Sequence, residues 1–382
     1  MKFPRKSKNT NKMMMRKNRP LALYIHIPFC QKICDYCDFT KLQYFRNFAS
    51  PYIESLKQEI EHYSINYKLK TIYIGGGTPT VLEDDLFKEL LSFIDKYRDG
   101  VEEYTIECNP ESLSDAKLAL MKKHGVNRLS IGVESTNDNI LKAIGRNHTF
   151  LDVENAILRA KAHGFDNINV DLIIGLPNVT KELLLKDLNN ILSLDVQHIS
   201  CYSLTVHPNT KFYLDKIEEP DGDTARELYD LVNEKLGEKG FIHYEVSNWA
   251  KLGRESKHNY VYWKDEEYYG AGLGASGYID NHRYTNTKNI IKYLSHDYID
   301  EDEVVSIHDD KTYFIMLNLR TKRGLIFKEY EERFSEKFEI KNEDKIKKLE
   351  KLHLLNVDND KIVATYEGMM ILDKLIMEFI ED

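Results

Sequence analysis

Short apolar runs alternate with longer amphipathic segments along most of the chain, and this alternation limits the possible folds more than any other feature. Segments with a helical period near 3.6 residues cover 51–63, 83–97, 113–124, 150–163, 180–193 and 222–238. The strand-like runs between them cover 21–27, 70–75, 103–108, 126–132, 167–174 and 197–204, with a weaker one at 241–246. One strand and one helix in about every 30 to 40 residues predict βαβ units and a parallel sheet. Six or seven such units suit a complete or incomplete α/β barrel, which carries its chemistry at the carboxyl ends of the strands.

The pattern changes near residue 300, where a charged stretch begins at Glu301. Helical patterns follow at 308–321, 326–334, 343–353 and 367–380, with strand-like pieces within 354–365. We therefore predict a basic tail at 1–20, a core at 21–300 and a mainly helical C-terminal domain at 301–382. Within the core, Ser114 and Thr180 are expected to start helices, and Gly125 and Gly164 to end them.

The charge is distributed unevenly. The chain has 53 Lys and Arg against 62 Asp and Glu, a net charge of −9, yet residues 1–20 contain eight basic residues and no acidic one. The body is therefore acidic, which argues against a nucleic-acid partner. We expect the tail to be solvated and disordered, with weak peripheral contact to anionic lipid as the alternative. No apolar run suits a membrane span or a secretory signal, and cysteine is scarce, so we expect a cytoplasmic protein.

Three of the five cysteines lie directly after the first predicted strand. Cys30, Cys34 and Cys37 have the spacing Cys-x3-Cys-x2-Cys, and no fourth Cys or His lies nearby. A structural zinc site uses four closed ligands. Three thiolates around a [4Fe–4S] cube instead leave one iron without a protein ligand, so that iron can bind a small molecule. A set of buried or zinc-binding cysteines is the alternative.

Several polar residues and glycines follow the later strands, where barrel chemistry is expected. The run from Gly75 to Gly77, followed by Thr78, allows close approach of the backbone to a ligand. Carboxylates in such positions can accept hydrogen bonds from ribose or amine groups, and a guanidinium can fork onto a carboxylate. The candidates are Glu107, Glu134, Asp171 and Arg146. The segment 272–277 matches Gly-x-Gly-x-x-Gly, but no clear strand pattern precedes it, so nicotinamide binding is not expected there.

The string from Tyr24 to Cys37, Tyr-Ile-His-Ile-Pro-Phe-Cys-x3-Cys-x-Tyr-Cys, resembles the radical S-adenosylmethionine (SAM) superfamily. Within it, the string is similar to oxygen-independent coproporphyrinogen oxidases and their relatives, and the resemblance runs from about Leu21 to the end of the chain. It implies a partial (β/α)6 barrel with a small, mainly helical, winged-helix-like C-terminal domain.

The resemblance also implies a chemistry and a set of binding residues. SAM would chelate the open iron, and an electron from the cluster would split the sulfonium bond to give a 5′-deoxyadenosyl radical. Glu134 stands where the family often has Gln, which leaves its contact open. By resemblance, the SAM region is lined by Tyr24, Tyr36, Gly76, Gly77, Thr78, Glu107, Glu134, Arg146, Asp171 and Ser203.

Two further features separate the branches of this family. The oxidases carry a fourth cysteine two residues after the third and usually a longer segment before the loop, whereas this chain has Phe39 at that position. The segment from Lys257 to Trp263 contains His-Asn-x-x-Tyr-Trp, which looks like the motif of the haem-chaperone branch. Imidazole is a good axial ligand for haem iron, and aromatic rings offer flat faces to a porphyrin. By that resemblance, His258 contacts haem. A histidine in an aromatic-rich stretch that serves structure only is the alternative.

The function expected from these residues is binding of haem and its transfer to an acceptor protein, on a core that holds [4Fe–4S] and SAM. The runner-up is an oxygen-independent coproporphyrinogen III oxidase, which would decarboxylate propionate side chains. A third possibility is a radical SAM enzyme that acts on another substrate. The haem-chaperone interpretation assigns no catalytic residue.

Overall fold

The computed structural model describes residues 21–63, 65 and 68–380. The predicted basic tail at 1–20, and any contact it makes with lipid, lie outside these residues. Among the helices so described, none has both the length and the apolar composition needed to cross a membrane.

The described strands, in chain order, are β1 (Leu21–Ile27), β2 (Phe29–Cys30), β3 (Leu42–Gln43), β4 (Leu69–Gly76), β5 (Glu103–Cys108), β6 (Arg128–Glu134), β7 (Ile168–Ile174), β8 (His198–Ser203), β9 (Ile242–Glu245), β10 (Asn248–Ala250), β11 (Tyr268–Ala271), β12 (Ser276–Ile279), β13 (His282–Asn286), β14 (Ile299–Val304), β15 (Leu325–Ile326), β16 (Leu355–Val357) and β17 (Lys361–Ala364).

The described helices are α1 (Arg46–His62), α2 (Asp84–Ile94), α3 (Asp115–Lys123), α4 (Asp138–Ala143), α5 (Phe150–Ala162), α6 (Lys181–Ser193), α7 (Lys211–Leu214), α8 (Gly222–Glu238), α9 (Lys257–Trp263), α10 (Ile290–Leu294), α11 (Ile307–Leu319), α12 (Phe327–Phe334), α13 (Phe338–Lys341), α14 (Glu343–Lys351), α15 (Tyr366–Met370) and α16 (Leu372–Ile380).

Six parallel strands form the predicted partial (β/α)6 barrel. They pair in the order β1-β4-β5-β6-β7-β8, so each strand neighbours the next barrel strand along the chain. Side chains alternate across each strand, so one set faces the helices and the other faces the barrel interior. Along β4, Ile72 and Ile74 belong to the large apolar core, while Thr71 and Tyr73 occupy the alternate positions. The side of β4 that faces the barrel interior therefore carries polar side chains.

The helices begin and end where local chemistry favours it. The side chain of Ser114 accepts a hydrogen bond from the backbone at the start of α3, and that of Thr180 does so at the start of α6. Gly125 and Gly164 follow α3 and α5 with positive φ angles of 84° and 80°, a conformation that glycine adopts at low cost. These four sequence predictions are confirmed.

The sheet extends beyond the barrel on both sides. On one side β11 pairs in parallel with β1 and continues into the antiparallel strands β12, β13 and β14. On the other side β10 and β9 follow β8 in antiparallel pairing. The segment 272–277 therefore does follow a strand, contrary to the sequence expectation. It connects β11 to an antiparallel neighbour, not to the helix of a βαβ unit.

The C-terminal part has a second apolar core of its own, formed by residues between Phe314 and Phe379. In chain order it contains α11, β15, the helices α12 to α14, and the strands β16 and β17. The three strands form an antiparallel sheet, and this arrangement is winged-helix-like. The predicted boundary at residue 300 falls inside β14, which belongs to the large sheet, so the division lies after Val304. The single helix predicted at 367–380 is divided at Ile371 into α15 and α16.

Candidate cofactor site at the mouth of the barrel

The three cysteines lie in the loop after β1, at the carboxyl end of the parallel strands. Within this cysteine loop (residues 28–44), β2 pairs with β3, and the backbone N–H of Tyr44 donates to the carbonyl of Cys30 at 2.9 Å. Cys30 is buried, Cys34 and Cys37 are partly exposed, and all three are free thiols. The loop thus presents three unoxidised thiols at the end of the barrel where chemistry is expected.

Two polar side chains lie beside the thiols, which are otherwise largely buried. The Thr78 hydroxyl lies 3.9 Å from Cys30 Sγ, and Arg146 Nη1 lies 3.6 Å from Cys34 Sγ. Burial raises the pKa of the Cys30 thiol to about 12 and that of Cys37 to about 11. Both thiols keep their protons without a metal, and iron displaces such protons on ligation.

The donor set is compatible with a [4Fe–4S] cluster. Within the described parts of the chain, no three side chains of His, Cys, Asp or Glu converge as a single metal ion requires. The thiolates that hold a cubane each ligate a different iron, so they need not converge on one point. Three thiols in one loop can therefore hold a [4Fe–4S] cluster that has one open iron.

The glycine run after β4 is packed so closely that no side chain fits. A Cβ atom built on Gly75 would lie 2.6 Å from the Glu107 carboxyl carbon, and one on Gly76 would lie 2.3 Å from the His26 ring. A Cβ on Gly77 would lie 2.7 Å from the backbone oxygen of Phe29. These glycines join the second barrel strand to the cysteine loop.

The backbone N–H groups of this run are already in use. Gly76 donates to Glu107 Oε2 at 2.9 Å, Gly77 to the carbonyl of Ile27 at 2.8 Å, and Thr78 to the carbonyl of Phe29 at 2.8 Å. The run would therefore meet a ligand through its carbonyl groups, which suit an amine.

Glu107 and Glu134 lie at the carboxyl ends of β5 and β6, and Asp171 lies in the middle of the neighbouring strand β7. Burial raises the pKa of Glu107 and of Glu134 to about 7 in each case, and it also raises the pKa of Asp171. Asn169 Nδ2 donates to Asp171 Oδ1 at 2.8 Å, and Tyr73 donates to Glu107 Oε1 at 2.7 Å. These buried carboxyl groups make the mouth a natural site for a cationic ligand.

Arg146 balances part of this negative charge. Its Nη2 donates to the carbonyl of Gly132 and, at 3.2 Å, to Asn109 Oδ1, and it lies 3.9 Å from Glu134 Oε1. Burial alone would lower its pKa, but Tyr36, Glu134 and Cys34 raise it. The guanidinium thus stands between the cysteine loop and the carboxyl groups.

The remaining predicted SAM residues occupy the same end of the barrel. The Tyr24 hydroxyl lies 2.9 Å from His26 Nδ1, and His26 Nε2 lies 2.7 Å from the carbonyl of Thr40 in the cysteine loop. Burial and the nearby Glu134 raise the pKa of Tyr36. Ser203 is exposed at the end of β8.

His258 lies inside the barrel and not on its surface. The side chain is 1% exposed, with Nδ1 2.7 Å from the Thr71 hydroxyl and Nε2 2.7 Å from the Tyr262 hydroxyl. Burial lowers the pKa of His258 to about 3, so the ring is neutral. In this conformation both ring nitrogens of His258 have hydrogen-bond partners, and contact of His258 with haem stays a prediction.

Exposed apolar side chains surround the mouth. Phe39 and Ile33 of the cysteine loop are 63% and 40% exposed, and Tyr202 at the end of β8 is 46% exposed. Leu214 of α7 is also exposed and lies two residues after Phe212, whose backbone N–H donates to the carbonyl of Asp35 in the loop. We call these four residues, Ile33, Phe39, Tyr202 and Leu214, the apolar rim.

Comparison with known proteins agrees with this architecture. The Radical SAM superfamily matches residues 24–199, and the HemN C-terminal domain matches residues 310–371. Coproporphyrinogen III oxidase (HemN) from Escherichia coli has a similar structure, with a TM-score of 0.83 and 23% identity over 95% of this chain and 91% of that one.

Relatives found by sequence similarity identify the family more closely than the fold comparison does. The heme chaperone HemW of Lactococcus lactis is 38% identical over 373 residues, which cover 95% of this chain and 98% of the relative. HemW of Bacillus subtilis is 36% identical over 94% of this chain and 99% of its own length, and HemW of E. coli is 33% identical over 80% and 84%. The chain belongs to the HemW family of radical SAM proteins.

In this HemW-family chain, two residues that support the site were not identified from the sequence. His26 connects the first barrel strand to the cysteine loop, and Tyr73 donates to Glu107. The inward alternation along β4 is a signal for Tyr73, because Tyr73 shares a face with Gly75. No local signal marks His26, whose partner Thr40 lies beyond the cysteines.

Proposed function

We propose that this protein is a haem chaperone that binds haem and passes it to an acceptor protein, on a radical SAM core that holds [4Fe–4S] and SAM. The observation that carries the proposal is the extent of the similarity to HemW of Lactococcus lactis, which spans nearly the whole of both chains. Phe39 adds to it, because this exposed side chain stands where the resembling oxidases have a fourth cysteine.

Cys30, Cys34 and Cys37 would hold the cluster, which supplies an electron and an open iron to SAM. The chain's own residues would bind and orient SAM. The carbonyl groups of the glycine run would accept from its amino group, and Glu107, Glu134 and Asp171 from its amine and ribose. Arg146 would meet its carboxylate.

Haem would lie on the apolar rim. Its macrocycle is flat and apolar, and the rim offers exposed aromatic and aliphatic side chains at the mouth of the barrel. Direct ligation of haem iron by His258 requires that the Tyr262 contact break and that α9 open, so it belongs to a conformation other than this one.

A side-by-side anaerobic assay tests the proposal. The full chain, with its cluster reconstituted, should bind haem at about one per monomer and transfer it to a haem-depleted acceptor, and it should leave coproporphyrinogen III unchanged. Formation of protoporphyrinogen at an efficient rate would instead establish the oxidase alternative, to which the fold alone is equally suited.

A variant of the rim adds a second test. Phe39→Ser should weaken haem binding and leave the brown colour of the cluster intact. Ile291→Ser, an exposed apolar residue on α10, serves as the matched control and should change neither property.

A further inference from the structure

The ring of His258 is packed against the barrel strand that carries the glycine run. It stacks on the ring of Tyr73 with centroids 5.0 Å apart and an interplanar angle of 29°. Its Nδ1 contacts Thr71, which lies two residues before Tyr73 on the same face of β4. His258 therefore supports two successive inward positions of this strand.

Tyr73 carries this support to the mouth of the barrel. Its hydroxyl donates to Glu107 Oε1 at 2.7 Å, and Glu107 Oε2 accepts from the backbone N–H of Gly76 at 2.9 Å. A continuous series of contacts thus runs from His258 through Tyr73 to Glu107 and the glycine run.

The helix that carries His258 is itself fixed to the barrel. The backbone N–H groups of Lys257 and His258 donate to the two oxygens of Glu103, at 3.0 Å and 2.9 Å. Glu103 is the first residue of β5, and Glu107 lies four residues later on the same face of that strand. The His258 ring is consequently held at a set position relative to Glu107.

We infer that His258 is a positioning residue, which through Tyr73 holds Glu107 in the orientation that SAM binding uses. This inference rests on the proposed binding of SAM at Glu107. Loss of the ring removes one partner of a stacked pair and leaves Tyr73 free to rotate away from Glu107. From the usual strength of such pairs, the dissociation constant for SAM should rise about five-fold.

Four variants of the full chain, with the cluster reconstituted anaerobically, test the inference. His258→Ala removes the ring, His258→Phe keeps a stacking ring that cannot ligate iron, and Tyr73→Phe removes only the hydroxyl that donates to Glu107. The fourth is the double variant of His258→Ala and Tyr73→Phe. His308→Ala, an exposed histidine of α11, is the matched control.

SAM affinity, the haem Soret band and thermal unfolding are measured for each protein. We expect about five-fold weaker SAM binding in His258→Ala and in Tyr73→Phe, and no further loss in the double variant, because both changes act through one contact series. His258→Phe should bind SAM within about two-fold of the wild type. The Soret band should be unchanged in all of them. Phe fills about the same space as His, so the His258→Phe variant still tests the inference if His258→Ala does not fold.

Two results would overturn the inference. The first is loss of the Soret band in His258→Ala and His258→Phe with SAM affinity intact, which would make His258 an iron ligand. The second is wild-type SAM affinity in His258→Ala, or additive losses in the double variant. If the wild-type protein itself binds no SAM, the proposed function fails together with the inference, whereas failure of the variants alone refutes only the role of His258.

Discussion

Glu107→Gln should stabilise the SAM-free protein at alkaline pH, although Glu107 is a proposed SAM residue. Burial raises the pKa of this carboxyl group from 4.5 to about 7, and hydrogen bonds from Tyr73 and Gly76 offset only part of that effect. The unfolded chain therefore releases the proton near pH 4.5 and the folded protein releases it near pH 7. Between these values the folded state binds more protons, so the free energy of unfolding falls as pH rises.

The size of the effect follows from the two pKa values. At 1.36 kcal/mol per pKa unit, the rise corresponds to about 3.4 kcal/mol at pH values above 7. Glu107 keeps some contact with solvent at the mouth, which screens its charge, so we expect about 2 kcal/mol. Gln carries no charge and avoids this cost, while it resembles the protonated carboxyl group in shape.

Urea denaturation of SAM-free protein under anaerobic conditions measures the difference. The free energy of unfolding of Glu107→Gln should exceed that of the wild type by under 1 kcal/mol at pH 5 and by about 2 kcal/mol at pH 8. SAM should bind the variant more weakly at both pH values. Glu102→Gln removes an exposed carboxylate whose pKa is lowered by Lys257, and this control should bring no gain. The reasoning is refuted if the difference in free energy of unfolding does not change with pH, or if Glu107→Gln is less stable than the wild type at pH 8.

Three other changes have defined outcomes. Gly77→Ala places a methyl group against a backbone oxygen of the cysteine loop and should reduce cluster content measured by iron analysis, whereas Gly237→Ala, with open space around it, should be tolerated. Arg333→Ala leaves the buried Asp265 with one cationic partner fewer and should cost about 3 kcal/mol in urea denaturation; a loss under 1 kcal/mol would contradict a structural role for the pair. Cys34→Ser should lose the brown absorbance of the reconstituted cluster, and retention of that colour would show that Cys34 is not a ligand.

The barrel could be predicted from the sequence because its signals are local. The period of each segment identified all six parallel strands, and Ser114, Thr180, Gly125 and Gly164 marked helix ends through contacts within a few residues. The spacing of the three cysteines is equally local, and it placed them in one loop beside the strand ends.

The features that were missed depend on contacts between distant segments. The pairing of β11 with β1 joins residues more than 240 positions apart, and no periodicity reports it. His258 lies on helix α9, and its interior position depends on contacts with Glu103 of β5 and Thr71 of β4. A motif such as His-Asn-x-x-Tyr-Trp therefore indicates a family branch without showing whether its histidine faces a ligand or the protein interior.

The pairing of β11 with β1 also sets an order of events during synthesis. The turn after β11 closes on the back of the cysteine loop, where Gly272 leaves no room for a side chain beside the carbonyl of His26, and Gly274 leaves none beside Thr40. A ribosome that has released only the six barrel strands has synthesised the three cysteines but not the turn after β11 that packs against their loop. The cysteine loop is therefore packed on all its described sides only once residues up to Gly274 have folded against β1.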